Sequence, residues 1–160
     1  MDVQLTSLHI RLATQGDLEG ICGVEDESFS EPYPHRLLAK LLRVSPEGFF
    51  VAEAQPGTIV GYCVATSDGS SAHLISIGVL REYRRHGVGT ALIQALLRSF
   101  GPRIVDLRLE VKLGNTEAIE LYEGLGFRQV DLVEKYYEDG SAAVKMRLAI
   151  DDVLRKSGES

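Results

Sequence analysis

The sequence predicts a mixed α/β architecture, a central β-sheet of about seven strands flanked by about four helices. Three observations carry that prediction. Segments rich in Val, Ile, Tyr and Phe recur between segments whose apolar residues follow helical spacing. Gly, Pro, Asn and Asp mark the junctions. The 160 residues, 44% hydrophobic and 25% charged, have the length and composition of a globular chain with one sizeable core. One domain over residues 1–150 is therefore expected, followed by a polar tail, Asp151 to Ser160, that frays.

Leu8 to Leu12 alternates as a short strand. Thr14 and Asp17, three residues apart, resemble a helix-capping pair, and Leu18, Ile21, Cys22 and Phe29 give the following helix an apolar face. Gly20 and Gly23 weaken it intrinsically, so it depends on packing. Glu31-Pro-Tyr-Pro34 breaks the chain, because each proline removes a backbone donor, and a second helix spans His35 to Val44. Gly48 to Ala54 and Thr58 to Ala65 are β-rich runs around the turn Gln55-Pro-Gly57 and read as a hairpin. After the polar loop Ser67 to Ser71 come a strand, Ala72 to Val79, and a helix, Gly87 to Phe100, with Val88, Ala91, Leu92, Ala95 and Leu96 on one side. Gly101-Pro102 ends that helix. A strand at Ile104 to Val111, a helix from about Thr116 to a stop at Leu125-Gly126, and strands at Phe127 to Glu134 and Ala142 to Leu148 complete the order, with Asp139-Gly140 marking the last turn. One helix between the Ala72 and Ile104 strands predicts a parallel crossover.

A formal net charge of −6 lacks the basic footprint of a direct nucleic-acid binder. The Met1 to Ser7 segment has no basic stretch followed by an apolar run, and no window reaches the ~18 apolar residues of a membrane span. Cys22 and Cys63 form neither a CxxC pair nor a metal-ligand pattern with histidine, so no metal is expected. Two buried thiols in a reducing, cytoplasmic compartment follow from that usage.

Arg84-Arg-His-Gly-Val-Gly-Thr90 stands between a strand and an amphipathic helix. The first amides of such a helix have no intrahelical acceptor and its dipole is positive there, which suits phosphate. Gly87 and Gly89 carry no side chain to hold an anion away, Val88 lies between them, Thr90 offers a hydroxyl, and Arg84 and Arg85 supply charge. Leu92 stands where a dinucleotide fingerprint needs its third glycine, and no Lys-Ser/Thr pair follows as in a Walker loop.

The pattern Arg84-x-x-Gly87-x-Gly89 resembles the signature of the GNAT acetyltransferase superfamily. The likeness extends to Ser76-Ile-Gly-Val-Leu80, Leu109-Glu-Val111 with Asn115, Ala118-Ile-Glu-Leu-Tyr122, Leu125-Gly-Phe127 and Tyr136-Tyr-x-Asp-Gly140. Those segments, with Pro32-Tyr-Pro34, look like the N-terminal acetyltransferase branch, RimI-like and its archaeal relatives. The resemblance implies the GNAT fold and acetyl transfer from acetyl-CoA to an amine in a ternary complex, without a covalent acetyl-enzyme. It also implies a polypeptide N-terminus, nascent or ribosomal, as acceptor.

By the same resemblance, the backbone from Ile77 through Gly78 to Val79 pairs with pantetheine and polarises the thioester, Gly78 being either a bulge or a close-packing residue. Asn115 joins the cofactor contacts. At pH 7 about a tenth of α-amines but under a thousandth of lysine amines are neutral, so a base is needed. Glu110 matches the family's glutamate base, with His73 as its rival, and Tyr122 matches a tyrosine that donates to the departing sulfur or contacts the cofactor. Read from alternation alone, Glu110 is a solvent-facing carboxylate sharing a face with Asp106 and Arg108. Glu31, Tyr33, Tyr136 and Tyr137 fall in the two loops that flank the acceptor's first residues. Glu31-Pro-Tyr-Pro34 departs from the bacterial RimI pattern. His86 is a loop side chain, and His9 and His35 join no constellation. Lysine, polyamine or other small-amine acceptors, a non-catalytic acyl-CoA sensor and an unrelated nucleotide-binding module are the competing readings.

Overall fold

A computed structural model describes residues 8–150; the expectations for Met1 to Ser7 and for the Asp151 to Ser160 tail lie outside them. The strands are β1 (His9–Leu12), β2 (Phe49–Gln55), β3 (Thr58–Ser67), β4 (Ser71–Val79), β5 (Asp106–Lys112), β6 (Arg128–Val133) and β7 (Ala143–Ala149). The helices are α1 (Leu18–Ser28), α2 (His35–Val44), α3 (Val88–Phe100) and α4 (Thr116–Gly124). The sheet order is β1-β2-β3-β4-β5-β7-β6. The chain divides into two compact units, one comprising the described residues up to Thr66 with Ile75–Pro102, the other Ser67–Leu74 and the described residues from Arg103 onward.

In the first unit β1, β2 and β3 pair antiparallel, with Leu12 opposite Phe50 and Phe49 opposite Val64. Its core gathers Ile21, Cys22 and Val24 of α1, Leu38, Leu41 and Leu42 of α2, and Phe49, Val51, Tyr62 and Val64 of the sheet. Burying each such large apolar side chain contributes about 1.5–3 kcal/mol, which offsets the glycines that weaken α1. Asp17 accepts the Thr14 N–H at 2.8 Å, as the capping spacing predicts, but the segment it closes is a 3-10 turn over Gln15–Asp17 that leads into α1. Arg11 grips the same carboxylate at 2.7 and 2.8 Å and thereby holds it below the usual carboxylate range. Cys63 is wholly buried, and burial pushes its thiol up to about 12.

In the second unit β4 and β5 run parallel, with Ser71 opposite Asp106 and His73 opposite Arg108, as a single-helix connection predicts. β7 then pairs antiparallel with β5, and β6 antiparallel with β7. β5 begins two residues later than its sequence pattern, although Val105 still donates to Ser70 and accepts from Ile150. Asp106 is not solvent-facing, as alternation suggested: it is 1% exposed. Burial would raise its pKa, but hydrogen bonds from Ser71 at 2.5 Å and Arg147 at 2.6 Å outweigh that and hold it low. Among the described residues no helix is long and apolar enough to cross a membrane.

Candidate active site

The first unit carries the phosphate cradle. β4 ends in buried Ile77, Gly78 and Val79, and the chain turns through a 3-10 segment, Arg81–Tyr83. Arg85 and Gly87 both take left-handed backbone angles, φ 66° and 78°. Arg85 is one of two non-glycine residues with positive φ among those described, and a glycine at 87 enters that region without strain. Gly87 caps α3, accepting from Ala91 at 3.0 Å, and has no side chain to occupy the amides of the first turn. Val88 is buried and pins the helix start, while Gly89 and Thr90 are half-buried on that turn. A glycine cap in front of 13 residues of helix fits a pyrophosphate. Arg84 does more than add charge, since its Nε donates to the Val79 carbonyl at 2.8 Å and ties the cradle to β4.

Gly78 has a packing reason of its own. A Cβ there would lie 3.0 Å from Ser28 Oγ and 3.2 Å from Val24 Cγ1, so its absence lets α1 approach β4. Tyr33, in the loop before α2, is tied at two points: its N–H donates to Glu25 Oε2 at 2.8 Å and its hydroxyl to the Ile75 carbonyl at 3.3 Å. Glu31 is exposed in the same loop.

The second unit brings three of the expected residues into one chain of hydrogen bonds. His73 Nε2 lies 2.7 Å from Glu110 Oε2, and the Tyr136 hydroxyl donates to Glu110 Oε1 at 3.3 Å. The parallel register accounts for the first contact: His73 stands opposite Arg108, so Glu110, two residues on, projects on the same face. The charge on Glu110 raises the Tyr136 phenol above its ordinary value, with partial burial and the hydrogen bond adding to the effect. Tyr136 and Tyr137 meet edge to face at 5.0 Å, with Lys145 6.0 Å from the Tyr136 ring centre and Lys112 5.4 Å from that of Tyr137. Asp139 closes the loop, accepting from Ser141 at 2.5 and 2.9 Å and from Lys112 at 3.2 Å, and these bonds lower its pKa to about 2.

Asn115 caps α4, its Oδ1 accepting the Ala118 N–H at 3.2 Å. Tyr122 is buried on α4 with its ring edge to face with Phe127 at 5.9 Å. Both hold structural positions whatever else they touch. His35 pairs with Asp26 at 3.0 Å, and His9 and His86 are exposed. Sequence reasoning missed Glu25, Tyr62 and Ser76, three buried polar residues bonded to one another in the first unit. The available signal was an acidic residue on the apolar face of α1, one turn beyond Ile21.

Residues 18–127 match the model of the acetyltransferase (GNAT) family. Over 151 residues the chain is 34% identical to an N-alpha-acetyltransferase of Sulfurisphaera tokodaii, covering 86% of this chain and 90% of that protein. The crystal structure of Ard1 from Thermoplasma volcanium superposes with a TM-score of 0.76 at 32% identity, over 90% of this chain and 98% of that one. The ribosomal-protein-S18-alanine N-acetyltransferase of Escherichia coli superposes with a TM-score of 0.70 at 28% identity, over 89% and 94%.

Proposed function

The chain belongs to the acetyltransferase (GNAT) family, and from that premise we propose that it transfers the acetyl group of acetyl-CoA directly to the α-amine of a protein N-terminus, in a ternary complex. The N-alpha-acetyltransferase relative supports the α-amine as acceptor, and the S18-alanine enzyme supports ribosomal or nascent polypeptides among the targets. The two unbridged cysteines support a reducing, cytoplasmic setting.

The observation that carries this reading is the His73–Glu110–Tyr136 chain, at 2.7 and 3.3 Å. About nine-tenths of an α-amine population is protonated at pH 7, so the amine must lose a proton before it can attack. With His73 Nε2–H donating to Glu110, the Nδ1 lone pair is the accepting site, and the carboxylate holds the ring in that orientation. Tyr136, on the other carboxylate oxygen, restrains the pair. Half-exposed His73 then returns the proton to solvent. Glu110 and His73, alternatives in the sequence, thus work as one base.

Acetyl-CoA supplies the activated acyl carbon when bound. The amides of Val88, Gly89 and Thr90 with Arg85 would hold its pyrophosphate, and the Ile77–Val79 backbone would pair with its pantetheine. Tyr122 would donate a hydrogen bond to the departing sulfur, and the loop of Glu31 and Tyr33 and, separately, that of Tyr136 and Tyr137 would each contact the first residues of the acceptor. The decisive experiment incubates acetyl-CoA with peptides whose N-termini are free or blocked, with and without lysine, and locates the acetyl group by mass spectrometry. Product confined to free N-termini is expected; product on lysine alone would overturn the α-amine assignment.

A further inference from the structure

We propose that Glu25 is a positioning residue for the acceptor: its buried carboxylate fixes the backbone of the Tyr33 loop and so sets where the first residues of the peptide lie. The inference rests on the proposed role of that loop in receiving the acceptor.

Glu25 is 1% exposed, on the face of α1 that also buries Ile21, Cys22 and Val24. A carboxylate taken out of water is costly unless its oxygens are fully bonded. Three donors meet it here. The Tyr62 hydroxyl and the Ser76 hydroxyl, the latter at 3.2 Å, reach Oε1, and the Tyr33 N–H reaches Oε2 at 2.8 Å. Tyr62 and Ser76 are themselves buried and lie 2.9 Å apart, oxygen to oxygen. One carboxylate oxygen is thus anchored to the sheet and the other is turned toward the loop.

The anchored loop has an unusual backbone. Pro32 and Pro34 have no N–H, so Tyr33 carries the one amide donor in Pro32-Tyr33-Pro34, and that donor is spent on Glu25. The Tyr33 hydroxyl reaches the Ile75 carbonyl, one residue before Ser76. The same tyrosine is therefore referred to β4 twice, once through its hydroxyl and once through Glu25 and Ser76. Burial of an ionisable side chain is by itself a weak contributor to stability, so the core alone gives no reason for a glutamate at position 25. An apolar residue there would not locate a loop whose surface residues are all exposed.

Amide hydrogen exchange on the whole enzyme tests the clamp directly. The Tyr33 amide, in an exposed loop, is expected to exchange about tenfold or more below the rate of an unstructured peptide. Exchange at the unstructured rate would overturn the proposal. In Glu25→Ala the peptide KM is expected to rise about tenfold, the equivalent of a lost hydrogen bond, with the acetyl-CoA KM unchanged and the Tyr33 amide deprotected. Glu25→Gln keeps a carbonyl oxygen for Tyr33 and an NH2 for Tyr62 and Ser76, and should recover most of that loss. An equal rise in both KM values, or no rescue by glutamine, would mean that Glu25 only holds the core. Should Glu25→Ala not fold, Tyr62→Phe removes one of the two donors on the anchored oxygen and should raise the peptide KM about threefold, an unchanged KM counting against the proposal. Tyr33→Ala separates the two ideas. An unaltered peptide KM in that variant would overturn the loop's role in binding the acceptor, and the positioning claim with it. A raised KM together with an unprotected amide at position 33 would overturn the Glu25 clamp alone.

Discussion

At the scale of single residues, the 2.7 Å contact between His73 and Glu110 makes one quantitative demand. Two groups that remove one proton together lose their function together, so their substitutions are not additive. His73→Ala and Glu110→Gln should each lower kcat about 10²-fold or more, and the double variant should fall little further. Multiplicative losses in the double variant, measured at saturating acetyl-CoA, would show two independent roles. The sequence made both residues legible as candidates, because residue type and strand position are local properties. It left them as rivals, because what joins them is the register of two strands that lie about 35 residues apart in the chain. Glu25 was less legible still, since nothing in a helix sequence announces that an acidic side chain will meet a tyrosine, a serine and a loop amide.

At the scale of the element, glycines show where packing rather than propensity decides. A Cβ on Gly48 would stand 2.0 Å from the Ala65 carbonyl oxygen, which is backbone and has no rotamer to move. Gly48→Ala should therefore destabilise the protein by about 3 kcal/mol or more. Gly78→Ala meets only the side chains of Ser28 and Val24 at 3.0 and 3.2 Å, and should cost roughly 1–2 kcal/mol, partly restored by adding Ser28→Ala. Chemical denaturation of the three variants checks the order, and a Gly48→Ala protein as stable as the parent would contradict the packing. Most element boundaries were readable, the Gly101 stop of α3 among them, where φ is 89°. The exceptions have physical causes. α1 starts after a 3-10 turn because Asp17 is held by Arg11 as well as by Thr14. β5 starts at Asp106, where an aspartate bonded to two arginines and a serine is buried at a position that alternation assigns to solvent.

At the scale of the whole molecule, the carboxylates set the response to acid. Asp17, Asp106 and Asp139 all titrate lower in the folded chain than in the unfolded one. The unfolded state therefore takes up protons first. The stability these groups contribute is complete above about pH 4 and is lost as the pH falls through their folded values, about 2 for Asp139. Thermal melts between pH 5 and pH 2 should show a falling Tm, shallower in Asp17→Asn, whereas a flat profile would remove these residues from the account. At this scale the parallel step from β4 to β5 could be read from its single connecting helix. The insertion of β7 between β5 and β6 could not, since a hairpin's local signals fix its turn and not which of its strands faces the rest of the sheet. Cys63 is wholly enclosed and its thiol is held up to about 12, so it is unreactive while the fold is closed. Every alkylation of that sulfur then records one excursion of the chain through an open state, and the protein carries a clock of its own unfolding inside its sheet.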